Sequence, residues 1–515
     1  MSTRKNKWLL MVIILAIGGM VHLGALRASA ATPQGVLKEA IHWSVSADWF
    51  DPATGNAGAL GWFCLSILHD ALVKPMPEGT YTPCLAESYT MSPDAKVFEF
   101  RLRKGVKFHN GDTMTAEDVV FSWSRYKSMQ AKFLSEMTEK VEAVDPTLVR
   151  FRFKKPFPDF LEYFVIGGTT VGWIVPKKYV EKVGEAGFKQ NPVGAGPYKY
   201  VEFVPGVKLV VEAFEGYWRK VPNIKRMEFH LIPDGTTRLA MVKRGEVDIA
   251  TLITDILMDE AKKDPKLRIL TPLSPSKFPI TLAAQWDPKS PWSDVRVRKA
   301  ASLAIDRQTL ADIYSPGCKP TGSLGMEGGV DPWVVSIPAD PYDPERAKKL
   351  LAEAGYPKGF DGGKFYPDTN YWASAEQMAT YWKAVGITVE IVKLDRAAWF
   401  AMRQSGKLKG GLFPEALPGA TITARLAYLF APQNSYGQYP DIRALWDQFL
   451  NEYRPEARKS LIERIQRLMY EKTMMIHLTE INSPAVVGPK VKGNPYKIQP
   501  LIWFTAPLED IELQN

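Results

Sequence analysis

The sequence has few recognisable motifs in which side chains bind a metal or act as a nucleophile. No two of the six histidines lie within five residues of each other, so a histidine-based zinc site is not supported. The metalloprotease, nucleophile-elbow and phosphate-loop motifs are missing; Lys364 of Gly362-Gly363-Lys364 is followed by Phe365 rather than Ser or Thr. Carboxylates such as Asp248 and Asp294 are interpreted as strand-end or helix-capping groups. These absences do not by themselves exclude catalysis; we expect a protein that is not an enzyme, with an exported hydrolase as the rival hypothesis.

The excess of positive over negative charge is also small. The 515 residues are 46% hydrophobic and 23% charged, which is ordinary for a soluble globular protein of two to three domains. Removal of residues 1–30 would take away Arg4, Lys5, Lys7 and Arg27 and lower the net charge from +9 to +5. So small a charge on so long a chain does not predict nucleic-acid binding.

Cysteine is rare, with three residues at positions 64, 84 and 318. This number suits a compartment in which thiols are scarce or paired. One cysteine must remain unpaired. Cys64 and Cys84 are the better candidates for a bridge because they share an early segment, but the sequence does not decide whether it forms.

Residues 1–30 have the features of a secretion signal. Arg4 and Lys7 give a basic start, Trp8 to Ile17 an apolar run, and Ala28-Ser29-Ala30 a cleavage site. An uncleaved anchor is the alternative, because the apolar stretch continues to Leu26. No cysteine follows that would accept a lipid. The sequence therefore predicts an exported protein, periplasmic or extracytoplasmic.

Local patterns predict a mixture of helices and strands. Alternating residues predict strands over 97–103 and 149–153, and Thr115 three residues before Asp118 predicts a capped helix start. A strand over 227–232, a helix over 236–244 ending at Gly245 and a strand over 247–250 form a βαβ unit, which implies parallel pairing.

The second half has similar signals. Asp294 and Asp306 each predict a helix cap, and Asp343-Pro344 predicts the start of a helix that ends at Gly355. Another helix, over 376–385, is expected to stop at Gly386 before a strand over 387–392.

Several ordered blocks resemble the family 5 extracellular solute-binding proteins, the dipeptide-, oligopeptide- and nickel-binding group of ABC importers. The blocks span most of the mature chain, and they are Leu85-Ala86-Glu87-Ser88, Arg103-Lys104-Gly105-Val106-Lys107-Phe108-His109-Asn110-Gly111, Thr115-Ala116-Glu117-Asp118-Val119, Gly194-Ala195-Gly196-Pro197-Tyr198, Gly245-Glu246-Val247-Asp248, Asp294-Val295-Arg296-Val297-Arg298-Lys299-Ala300, Ala304-Ile305-Asp306 and 343–355.

The resemblance implies an α/β two-lobe periplasmic-binding-protein-like fold of type II, with an extra α+β subdomain inserted in lobe one. Lobe one would comprise 32–60, 190–275 and 480–515, the insert 61–189, and lobe two 276–479. The lobes would close on a ligand, and an ABC permease in the cytoplasmic membrane would recognise the closed state. A monomer without cofactor or metal is expected.

The resemblance also places candidate ligand contacts. Glu415, in Gly411-Leu412-Phe413-Pro414-Glu415, occupies the place of a family Asp that binds a peptide ammonium. Phe365-Tyr366-Pro367 stands where dipeptide-binding members have an Arg for the ligand carboxylate, and its loss counts against a free dipeptide.

Aromatic residues complete the predicted site. Segments that relatives bring towards the cleft contain Trp372 and the predicted contacts Trp62, Phe63, Gln285, Trp286, Trp399 and Phe413. Wide, rigid rings suit a ligand with apolar or sugar-like faces. A peptide or peptide-like solute is the favoured ligand. An opine, an oligosaccharide or a nickel chelate is the alternative, and a sensory or chaperone-like role for the same fold stays open.

Overall fold

The computed structural model describes residues 32–43, 45–54, 58–127, 129–165, 171–253, 255–314, 317–325, 331–417, 421–430, 436–496 and 507–514. The predicted secretion signal, residues 1–30, lies outside this part of the chain. Among the described residues, no helix combines the length and apolar character needed to cross a membrane.

The strands and helices alternate along the chain. The strands are β1 (Gln34–Ile41), β2 (Val73–Met76), β3 (Gly79–Pro83), β4 (Ala86–Met91), β5 (Val97–Leu102), β6 (Thr138–Asp145), β7 (Leu148–Phe153), β8 (Tyr198–Val204), β9 (Lys208–Ala213), β10 (Ile224–Leu231), β11 (Ile249–Thr251), β12 (Arg268–Leu270), β13 (Leu273–Leu282), β14 (Phe360–Phe365), β15 (Ile387–Ile391), β16 (Leu412–Pro414), β17 (Met475–Asn482), β18 (Ala485–Val487), β19 (Val491–Lys492) and β20 (Glu512–Leu513). The α-helices are α1 (Gly58–Leu68), α2 (Ala116–Arg125), α3 (Met129–Met137), α4 (Lys177–Gln190, kinked at Gly184), α5 (Gly235–Lys243), α6 (Asp255–Ala261), α7 (Val295–Leu303), α8 (Arg307–Tyr314), α9 (Pro344–Glu353), α10 (Trp372–Ala384), α11 (Arg396–Gln404), α12 (Ile422–Phe430), α13 (Pro440–Asn451) and α14 (Pro455–Glu471). Short 3-10 helices include Pro158–Phe164 and Ala283–Trp286.

Lobe one is built on a mixed seven-stranded sheet in the order β12-β18-β11-β1-β10-β9-β8. The predicted βαβ unit is confirmed as β10, α5 and β11, and both strands run parallel to β1, which lies between them. Helix α1 packs on this sheet: Trp62 and Phe63 are buried with Phe229 and Ile41 in one hydrophobic core.

The insert contains an antiparallel sheet in the order β4-β5-β7-β6. The alternation predicted over 97–103 is confirmed, because Phe98, Phe100 and Leu102 are buried while their neighbours are partly exposed. The capping prediction is confirmed too: the backbone N–H of Thr115 donates to Asp118 Oδ2 at 2.8 Å.

Lobe two has a five-stranded sheet in the order β15-β14-β16-β13-β17, with helices α7 to α14 around it. The three caps predicted in this half are confirmed, and Asp306 accepts from the backbone N–H of Thr309 at 3.1 Å. Asp294 accepts from the backbone N–H of Arg296 at 2.8 Å, and Asp343 from that of Arg346 at 2.9 Å. Trp292 and Trp382 fill the core beneath the sheet.

Two neighbouring segments join the lobes. The chain leaves the seven-stranded sheet after β12 and enters the other sheet at β13, and it returns from β17 to β18. β12 pairs antiparallel with β18, and β13 with β17. The exact residue bounds of lobes and insert stay a prediction; helix α1 runs across the expected boundary at 60–61.

The three cysteines are free and buried. The possible Cys64–Cys84 bridge is therefore not formed. Cys64 packs in the lobe-one core, whereas the Cys84 thiol donates to the Thr82 carbonyl at 3.4 Å. Burial raises the pKa of the Cys84 thiol to about 12, which leaves it protonated and unreactive.

The Gly194-Ala195-Gly196-Pro197-Tyr198 block lies against the end of α1. A Cβ on Gly196 would lie 2.6 Å from His69 N and 2.6 Å from the Leu68 carbonyl carbon. Backbone atoms cannot rotate away as a side chain can, so this segment requires a residue without a side chain.

We expect Gly196→Ala to destabilise the protein by about 1–3 kcal/mol, the usual cost of forcing extra volume into a packed site. The measurement is the free energy of unfolding in urea. Gly79→Ala is the control, since its Cβ would meet Thr82 Oγ1 only at 3.8 Å. Equal stability of the two variants would contradict this account.

Candidate functional site

Glu415 directly follows β16, which pairs with the crossing strand β13. Its side chain is 3% exposed. Oε1 accepts a hydrogen bond from Thr281 Oγ1 at 2.6 Å, and Oε2 accepts one from Arg403 Nη1 in a buried ion pair. The carboxylate that was predicted to meet a ligand cation thus has a cation from its own chain.

Arg403 lies on α11, and the capped start of this helix positions Arg403 beside Glu415. Asp395 caps α11 by accepting from the Ala398 backbone N–H at 2.8 Å. Trp399 and Arg403 are four residues apart and therefore share a helix face. Sequence reasoning missed Arg403 because it sought an arginine before α10; the i, i+4 aromatic–Arg spacing was the available signal.

Aromatic rings surround this guanidinium. Arg403 Cζ lies 5.4 Å from the Trp399 ring, 5.5 Å from Phe413 and 5.2 Å from Tyr428, distances typical of cation–π contacts. Burial by itself would lower the pKa of Arg403, but Glu415 together with Tyr428 and Tyr436 outweighs it and the pKa is raised. We call Trp399, Arg403, Phe413, Glu415 and Tyr428 the Arg403 box.

The 3-10 helix 283–286 lies beside this box, because Ala283 packs with Trp399 and Phe413. Gln285 is buried, and its Nε2 donates to the carbonyls of Leu282 and Met474, each at 2.9 Å. Its Oε1 accepts from the Tyr439 hydroxyl at 3.1 Å. Both ends of the amide are engaged within the protein.

Trp286 is half-buried, with its ring centroid 5.0 Å from that of Tyr439. Gly437 lies so close that a Cβ there would sit 2.3 Å from the indole. Trp286 is therefore packed against Tyr439 and Gly437 and stays partly exposed.

Trp62 and Phe63 lie elsewhere. Both are 1% exposed, with Trp62 packed edge-on to Trp173 at 4.9 Å and Phe63 to Phe229 at 4.9 Å. The structure thus brings together Trp399, Phe413 and Glu415, puts Gln285 and Trp286 beside them, and places Trp62 and Phe63 in the core of lobe one.

The insert and lobe two touch through a second polar group of residues. Glu162 accepts from Tyr81 within the insert and from Thr421 in lobe two, each at 2.5 Å. Asp159, on the same 3-10 helix, forms an ion pair with Arg458 of α14. We call Asp159, Glu162, Thr421 and Arg458 the latch.

The latch contains two carboxyl groups, those of Asp159 and Glu162, and one cation, Arg458. Removal from water raises the pKa of Glu162 to about 7, with Asp159 and Asp331 adding to the effect. Burial also raises the pKa of Asp159, although Arg458 opposes this. Tyr81 and Thr421 donate to Glu162 but bring no positive charge, so its ionised form is costly where the lobes meet.

Comparison with known proteins identifies the family of this chain. Residues 80–413 match the model of the bacterial extracellular solute-binding proteins, family 5. The chain belongs to this family. It is 26% identical over 455 residues to heme-binding protein A of Haemophilus influenzae, covering 80% of this chain and 81% of that protein. It is 27% identical over 439 residues to the dipeptide-binding protein of Escherichia coli, covering 77% and 79%.

A solved relative has the same two-lobe α/β fold. The ABC transporter-associated periplasmic binding protein DppA of Helicobacter pylori, in complex with a peptide, superimposes with a TM-score of 0.76 at 22% identity, covering 93% of this chain and 98% of that one. Family 5 members are solute-binding components of ABC importers, and their extracytoplasmic location applies to this member.

The latch generates a pH prediction. Because the pKa of Glu162 is raised from 4.5 to about 7 in the folded protein, the folded state binds the extra proton in this window, and the contribution of Glu162 to the free energy of unfolding falls as the pH rises from 4.5 to 7. Glu162→Gln removes this contribution. We expect the melting temperature of the wild type to fall more between pH 4.5 and 7 than that of Glu162→Gln. An equal fall in the two proteins would contradict this role of Glu162.

Proposed function

We propose that this protein captures a peptide or peptide-like solute outside the cytoplasmic membrane and presents it to an ABC permease. The observation that carries the proposal is the combination of the family match with a buried polar and aromatic box beside the strand that crosses between lobes. Dipeptide-binding and peptide-bound relatives support the ligand class. Secretion through residues 1–30 and a monomeric state are part of the proposal.

Closure of the lobes would couple binding to presentation. A ligand that touches both lobes favours the closed state by its differential affinity, without any chemical step. The latch supports this idea, because its contacts from Asp159 and Glu162 to lobe two exist only while the insert and lobe two touch. The proposed units are 32–60, 190–275 and 480–515 for lobe one, 61–189 for the insert and 276–479 for lobe two.

Two residues of the 3-10 helix 283–286 have different proposed roles. Gln285, bound at both amide ends, would hold the helix against β17 and α13. Trp286 would offer the exposed part of its indole to the ligand, since a half-buried indole supplies a wide apolar surface at little entropic cost. Trp399 and Phe413 would serve as walls of the Arg403 box, and Trp62 and Phe63 would support the lobe-one side from beneath.

The ligand identity needs a direct measurement, because the curated relatives include both haem- and dipeptide-binding proteins. Native mass spectrometry of the protein purified from cells would identify a solute carried through purification. A peptide mass supports the proposal, whereas an opine, an oligosaccharide or a metal chelate would replace the ligand class and leave the family role intact.

A binding assay tests the proposal with a variant. After ligand removal by partial unfolding and refolding, a peptide pool should raise the melting temperature of the wild type, since a ligand at 100 times its Kd stabilises by about 2.7 kcal/mol. Trp286→Ala should weaken binding about tenfold, the effect of losing roughly 1.4 kcal/mol of contact.

Tyr342→Ala is the matched control, because Tyr342 is a 51% exposed aromatic residue of lobe two that packs on Tyr381. It should bind as the wild type does. The peptide proposal fails if no peptide shifts the melting temperature of the wild type.

A further inference from the structure

In the Arg403 box, Glu415 forms an ion pair with Arg403 of the same chain. Glu415 is 3% exposed, and so is Arg403. A buried carboxylate without a cation is strongly unfavourable, and here Arg403 supplies the cation, aided by the hydroxyl of Thr281. The two charges cancel, and the box is electrically neutral before any ligand arrives.

Hydrogen-bonding capacity nevertheless remains inside the box. Among the described residues, buried Arg403 Nε has no acceptor, and the buried hydroxyl of Tyr436 has no partner. The Tyr436 ring packs on Phe413 at 5.7 Å between centroids, and Phe413 is the ring that also faces Arg403. Burial raises the pKa of Tyr436, so its hydroxyl stays protonated.

Unsatisfied buried donors of this kind are rare in folded proteins and require an explanation. An N–H of a guanidinium and an O–H of a phenol both donate, so what they lack is an acceptor oxygen. Tyr366 and Tyr436 pack against Trp399 and Phe413 and, like Tyr428, are only partly buried, so part of the aromatic wall of the box reaches solvent.

The charge of that ligand group follows from the neutral pair. An ammonium would meet a carboxylate that is already engaged by Arg403 and would lie beside a second buried positive charge. A lone carboxylate would find Arg403 already paired and would lie beside Glu415. An uncharged acceptor, such as an amide carbonyl, satisfies the donors and adds no net charge to a buried site.

We propose that Arg403 is a specificity-determining residue: it provides the positive charge that Glu415 requires, and thereby selects solutes that present an uncharged acceptor oxygen, rather than a free ammonium, to this subsite. The inference rests on the proposed peptide-binding function and names the form of peptide concerned, one whose terminal amine is acylated or otherwise blocked.

The test compares two probes on the mature protein by isothermal titration calorimetry at pH 7, the peptide Ala-Phe-Ala and its N-acetyl form. In the wild type, N-acetyl-Ala-Phe-Ala should bind at least about tenfold more tightly, because like charges brought together in a buried site are strongly unfavourable. In Arg403→Met the unpaired Glu415 should favour the free amine, and the preference should reverse.

Two further variants guard against misfolding and indirect effects. The Arg403→Met/Glu415→Gln double variant removes both charges, which folded proteins often tolerate, and should distinguish the probes by less than about twofold. Arg125→Met is the matched control: Arg125 forms a buried ion pair with Asp51 at 2.7 Å, away from the box, and its loss should leave the wild-type preference unchanged.

The outcomes separate the two proposals. A wild type that prefers the free amine, or an Arg403→Met variant that keeps the wild-type preference while folded, overturns the role of Arg403 and leaves peptide binding standing. Binding of neither probe to the wild type or to any variant overturns peptide binding, and the inference with it. Acetyl preference in the wild type together with its reversal in Arg403→Met supports both.

Discussion

The two-stranded connection between the lobes is the constraint on which the rest of the structure depends. Strands β12 and β13 run out of one sheet and into the other, and β17 and β18 return beside them in antiparallel pairing. Register shifts interrupt the β13–β17 ladder near Lys277 and Pro279. Proline has no N–H for the ladder, so the connection is held by fewer regular hydrogen bonds there than in a continuous sheet. This geometry suits relative movement of the lobes.

The candidate site depends on this connection. Thr281 of β13 donates to Glu415, and Ala283, just beyond β13, packs in the Arg403 box. The crossing strand therefore carries both the link between lobes and one wall of the site. A ligand held in the box would contact the segment that links the two lobes.

Buried charge is used differently in the two polar groups. In the Arg403 box, a carboxylate and a guanidinium neutralise each other, and aromatic rings exclude water from both. In the latch, the two hydroxyl groups that donate to Glu162 bring no positive charge, and the pKa of Glu162 rises to about 7. The latch therefore makes contact between insert and lobe two easier as the pH falls.

The sequence by itself determined the local elements and the family. Caps at Asp294 and Asp343 and the alternation over 97–103 depend on neighbours a few residues away, and the ordered motifs span most of the chain. Tertiary structure alone decided the partners. Arg403 meets Glu415 because α11 packs on β16, Cys64 and Cys84 stay apart, and Trp62 and Phe63 are core residues. Burial and ion pairing depend on distances through space, which residue spacing along the chain does not specify.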